Sequence, residues 1–165
     1  MSFRLFQKRL TFSLLSILGC YTPAIAQTVV NSDGWVTMET ASALNLFTGV
    51  CGGSLPSFEN PTDTLIGLGF EQASSGTWFL PGRDASIKIK AVPNYGNTCS
   101  LVFGSAEDID IILAAFSEVF PTMQKTEVGN VGRFGEQNAS VILHNGAKQR
   151  GSILYLHVEM LPIRN

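Results

Sequence analysis

Cysteine, histidine and clustered positive charge are all scarce in this chain. Its 165 residues hold three cysteines and two histidines. There is no C-x-x-C, so a cysteine-based metal site lacks its usual ligand spacing. No run of basic residues occurs after the first nine, Lys88 and Lys90 being the nearest pair. Binding to nucleic acid or to an anionic membrane surface demands clustered Lys and Arg, so neither is expected. Also missing are a serine nucleophile elbow, an H-E-x-x-H helix, paired catalytic carboxylates and a D-x-D-x-D-G calcium loop. The longest apolar run, Leu10 to about Gly19, is too short to span a bilayer, and Pro23 prevents its extension.

The features that are present begin with an export signal. Arg4, Lys8 and Arg9 make a basic start to the apolar run, and Ala24-Ile25-Ala26 is an A-x-A cleavage site. The expectation is a signal peptide over residues 1–26 and one domain over 27–165, placed in the periplasm or secreted. The alternative is acylation at Cys20, because Ile17-Leu18-Gly19-Cys20 resembles a lipobox. Leu18 fits that motif poorly, so no lipid anchor at Cys20 is expected. Cleavage removes three basic residues and no acid. Eight basic residues then face 13 acidic ones, a net charge of −5. The remaining length, about 139 residues, is the usual size of one domain and can bury a real core.

Cys51 and Cys99 survive cleavage as an even pair in an oxidising compartment, with one possible connectivity. Their local patterns agree on a bridge. From about Val36 to Cys51 the spacing of Leu44, Phe47, Val50 and Cys51 places them on one helical face, with Gly52-Gly53 as a left-handed stop. Ala85, Ile87, Ile89 and Ala91 alternate with polar residues as one arm of a hairpin. Pro93 to Asn97 is turn chemistry. The return arm points Cys99, Leu101 and Phe103 inward, with Ala91 opposite Cys99, Ile89 opposite Leu101 and Ile87 opposite Phe103. Cys99 therefore faces the core into which the helix delivers Cys51.

A shorter helix is expected from Asn60 to near Gly69, with Leu65, Ile66 and Leu68 as its apolar surface. Residues 74–84 are turn-rich, with Trp78 and Phe79 as anchors. A helix from Ser105 to Phe120 carries the stripe Ile109, Ile112, Leu113, Phe116 and Phe120, with Ser105 as cap. Residues 139–143 and 154–160 form a second hairpin whose loop is 145–152. The expected fold is α+β: an antiparallel sheet built from two hairpins, helices packed on one face, and one disulfide.

His144 and His157 fall on the outer face of the second hairpin. In the expected register His157 lies opposite Ser140, which puts His144 roughly 13 Å away at strand rise. That distance is too great for one metal ion, so no metal, cofactor-binding or catalytic residue is assigned. Tyr155, His157 and Glu159 share a face. Glu107, Asp108 and Asp110 read as charge at a helix start, and Gly129 to Gly135 as a loop or irregular edge strand.

Phe47-Thr48-Gly49-Val50-Cys51, Pro56-Ser57-Phe58-Glu59 and Cys99-Ser100-Leu101 together resemble a group of small exported bacterial proteins of unknown function. That group has a signal peptide, an F-x-x-V-C helix end and a later C-S-L strand. The likeness covers about a third of the mature chain. Pro61, Gly67 and Gly69 stand where the group has an alanine-rich helix. The resemblance implies the compartment and the disulfide, and it supplies no catalytic residue. The expected function is a non-enzymatic binding or accessory protein of the periplasm or envelope, of inhibitory or immunity type, whose partner is another envelope or exported protein. The alternative is a small exported hydrolase using scattered residues such as His157 and Glu159. Contact is expected near Lys88, Lys90, Tyr155 and His157.

Overall fold

The computed structural model describes residues 29–31, 33–58, 61–93, 96–135 and 139–162. The expected signal, its cleavage site and Cys20 lie outside the described residues. Among the described residues there are three α-helices: α1 (Thr40–Val50), α2 (Thr62–Gly67) and α3 (Ile109–Val119). The described residues also form nine strands, in chain order β1 (Glu71–Gln72), β2 (Trp78–Phe79), β3 (Ala85–Val92), β4 (Gly96–Ser105), β5 (Gln124–Lys125), β6 (Gly129–Arg133), β7 (Ala139–His144), β8 (Lys148–Arg150) and β9 (Ile153–Pro162). They form one antiparallel sheet in the order β1-β2-β3-β4-β9-β7-β6-β5, with β8 also on β9. The fold is α+β with one disulfide, and the two expected hairpin regions lie at the centre of a larger sheet.

The core is one cluster joining the helices to the inner sheet face. Phe47, Ile112, Phe116 and Phe120 meet Ile87, Leu101, Phe103, Val141 and Val158 there, all essentially without solvent contact. Cys51 and Cys99 are bonded, with Cα atoms 5.6 Å apart and both residues fully buried. The 48-residue separation makes the cross-link worth about 4 kcal/mol in the chain-entropy description.

Several local expectations are corrected. Gly52 and Gly53 do not adopt the left-handed conformation; they enter a 3-10 turn, Gly52–Ser54. Gly52 instead leaves room for the Phe134 ring, which a Cβ would meet at 2.6 Å. Ser105 does not cap α3, because β4 continues through it and pairs Ser105 with Leu154. Asp108, in extended conformation, precedes the helix. The Glu107 carboxylate turns back to accept the Thr40 N–H at 2.8 Å, so it supports the N-terminus of α1. Ile109, in the first turn of α3, is 43% exposed and outside the core. In α2 only Leu65 is buried. Trp78 is a core anchor as expected, while Phe79 is only half-buried and stacks on Trp35 with ring centroids 6.5 Å apart. Gly129 to Arg133 is a regular strand, β6, paired on both sides.

Both central registers differ from expectation by an even number of residues. In the first hairpin Ile87 faces Leu101 and Ile89 faces Cys99, a shift of two. On β9, Ser140 faces Leu161 and Leu143 faces Val158, a shift of four. The cause of the larger shift is β8. Lys148 to Arg150 do not remain in a loop; Arg150 pairs with Ile153 across the two-residue turn Gly151-Ser152, where Gly151 has φ +60°. β8 therefore occupies the first residues of β9, and β7 must pair further along it.

Candidate functional site

The shifted register assembles the site. β9 lies between β4 and β7, and three of the cross-strand rows on its outer face build the site. The first contains Lys88, Ser100, Glu159 and Ile142. The second contains Ser86, Val102 and His157, with His144 next in the β7–β9 ladder after Leu143–Val158. The third contains Gly104, Tyr155 and Lys148. His144 and His157 are thus cross-strand neighbours rather than 13 Å apart. Their rings stack at a centroid distance of 4.4 Å and an interplanar angle of 8°.

His144 Nε2 lies 3.1 Å from Glu159 Oε2, and both side chains are partly shielded, at 30% and 20% exposure. Burial lowers the pKa of His157 from its ordinary value. The neighbouring His144 charge acts in the same direction, and Glu159 opposes both. Among the described residues His144, His157 and Glu159 form one group whose ligand atoms all lie within 4.8 Å of one another. Val102, Lys148, Tyr155 and the two histidines line an open groove of about 400 Å³.

Beside the histidines a second polar set supports Tyr155. The Asn31 amide donates to Asp84 Oδ2 at 2.8 Å. Burial raises the Tyr155 pKa from its ordinary value, the nearby Asp84 carboxylate adds to the rise, and Asn31 and Arg150 oppose it. Gly104 makes this possible, since a Cβ there would meet Asp84 Oδ2 at 2.6 Å. The Arg150 guanidinium sits 5.4 Å from the centre of the Tyr155 ring.

A larger groove, about 630 Å³, lies between the start of α1 and the end of β4, with Arg83 and Glu107 on its wall. The Glu107 carboxylate is already committed to the Thr40 N–H and the Ser105 hydroxyl. That groove therefore reads as part of the framework.

Of the residues singled out by sequence, Tyr155, His157 and Glu159 do share the outer face, and Lys88 and Lys90 stand exposed on the same side of β3. The partnership of His144 with His157 and Glu159 escaped sequence reasoning. A signal for it exists: Gly-Ser is two-residue hairpin chemistry, and placing that turn at Gly151-Ser152 creates β8 and the true register. No helix among the described residues is long and apolar enough to cross a membrane. Comparison with known proteins finds no matching family, no matching curated protein and no matching solved structure.

Proposed function

We propose that this is an exported, non-enzymatic binding protein of the periplasm or envelope, accessory or inhibitory to another exported protein, and that it works through the outer face of its sheet. The observation carrying this reading is the placement of its polar side chains. The helices bury the inner face, while the outer face gathers His144, His157, Glu159 and Tyr155 around an open groove with Val102 at its wall. An amphipathic, partly dry patch of this kind suits macromolecular contact: an apolar wall gives area, and fixed polar groups give register. The basic start, the A-x-A site and the buried disulfide support export.

A second reading is favoured by one observation. An imidazole held against a carboxylate, as His144 is by Glu159, is the arrangement of an oriented general base. A small exported hydrolase would use it together with His157.

Affinity capture from envelope extract separates the two. The wild-type protein should retain a reproducible exported partner, and Val102→Arg, which places charge on the groove wall, should lose it. No reproducible partner, together with ester or peptide turnover abolished by His157→Ala, would replace the binding reading with the hydrolase.

A further inference from the structure

We infer that His144, His157 and Glu159 form a binding site for a divalent first-row transition ion, zinc in the simplest case, with one coordination position open to the groove beside Val102, Lys148 and Tyr155. The inference goes beyond the proposed function, because the site stands whether a macromolecule or a small substrate occupies the groove.

The donor set comes first. Two imidazole nitrogens and one carboxylate oxygen suit zinc and its neighbours, whereas calcium and magnesium require oxygen-rich shells. Spacing comes second. Bonds of about 2.0–2.1 Å in a tetrahedral arrangement separate donor atoms by about 3.3 Å. His144 Nε2 and Glu159 Oε2 are already 3.1 Å apart, and the whole set lies within 4.8 Å. The remaining approach is about 1.5 Å, within reach of side-chain rotation alone.

The frame holding the three residues is rigid. β7 is hydrogen-bonded to β6 and β9, and β9 to β4 and to β7 or β8 along its length. The ligands thus stand on two interior strands rather than on loops, in adjacent rows of one face. One ring must move. Stacked imidazoles at 8° hold their in-plane lone pairs in two nearly parallel planes that do not meet at one ion, so binding requires one ring to turn about its Cβ–Cγ bond. That torsion is broad and soft. His157 is the ring to turn: among the described residues it makes no hydrogen bond and gives up only its stack on His144, whereas His144 is held by Glu159. Three protein ligands leave the fourth tetrahedral position open, as in zinc sites that bind water or an incoming donor.

The test uses the exported protein stripped with chelator and titrated with Zn²⁺, monitored by calorimetry and by the imidazole carbon-bound proton signals. One Zn²⁺ should bind per chain, and signals of both histidines should move together with the heat. Ca²⁺ and Mg²⁺ should leave them in place. His144→Ala, His157→Ala and Glu159→Gln should each weaken binding by more than the roughly 10–100-fold that loss of a mere supporting partner costs. The Cys51–Cys99 bond and the thermal transition show whether each variant is folded. Absence of saturable Zn²⁺ binding to the wild-type protein overturns the inference. So does binding that leaves either histidine signal unmoved, a result independent of any variant.

Discussion

The inner face of the sheet carries Ile87, Leu101, Phe103, Val141, Leu156 and Val158, each at most 2% exposed. The outer face of the same strands carries Lys88, Ser100, Val102, Ile142, His157 and Glu159, all half-buried or exposed. On the inner face almost any partner is acceptable provided it is apolar and fills space. On the outer face identity depends on which residue stands across the strand gap. Packing therefore fixes which way a side chain points, and register fixes whom it meets. The candidate site is a product of register.

Four perturbations test that contrast, and the first two strike the inner face. Ile112→Asp should be the most damaging, since Ile112 is fully buried in the cluster between α3 and the sheet. A carboxylate there has no partner, and its burial costs on the order of the whole stability of a domain this size. Circular dichroism and soluble yield should show an unfolded chain. A soluble variant with the wild-type melting profile would remove α3 from the core. Next in size is loss of the disulfide. Cys51→Ser with Cys99→Ser should lower unfolding free energy by about 2–5 kcal/mol in denaturant melts. A change below about 1 kcal/mol would mean that packing alone aligns α1 with β4.

The other two strike the outer face and should be smaller. Gly104→Ala pushes a methyl group toward the Asp84 carboxylate and toward Ile153 Cγ2, at 2.6 and 3.2 Å. Overpacking of that kind costs about 1–3 kcal/mol. It should also disturb Tyr155, whose hydroxyl titration, monitored by its absorbance, should fall back toward the ordinary phenol value. A variant with unchanged stability and unchanged Tyr155 titration would contradict the packing described for this row. Smallest is the effect of pH on His157. Its pKa in the folded protein lies below the unfolded value, through burial first and the His144 charge second. The unfolded chain therefore takes up this proton first as pH falls. The His157 contribution is fully present above about pH 6.5 and declines below it. Chelator-treated protein melted in urea across that range should show a decline that His157→Ala reduces. Equal pH dependence in wild type and variant would place His157 in open solvent.

The same contrast explains how much of the molecule was legible in the sequence. The inward set of β3 and β4, the α1 stripe ending at Cys51 and the α3 residues Ile112, Phe116 and Phe120 are visible because burial imposes a period. The disulfide is visible from the phase of its two cysteines. The registers were not visible, because shifts of two and four residues leave every side chain on its expected face. An even slip keeps Val141, Leu143, Val158 and Met160 inward and merely changes their partners. His144 and His157 thus read as distant when they are stacked. The resolving information lay in Gly151-Ser152, a turn signal inside a stretch that reads as a long polar loop. The start of α3 was obscured for a related reason: Ser105 suits a cap, but strand pairing with Leu154 claims it first.

The claim on which the site depends is the pairing of β7 with β9, and the most direct measurement of it is the nuclear Overhauser contact pattern of the His157 ring. With centroids 4.4 Å apart, the His157 ring protons should show strong cross-peaks to those of His144. Cross-peaks from His157 to Ser140, without contacts to His144, would restore the register expected from the sequence and dissolve the site.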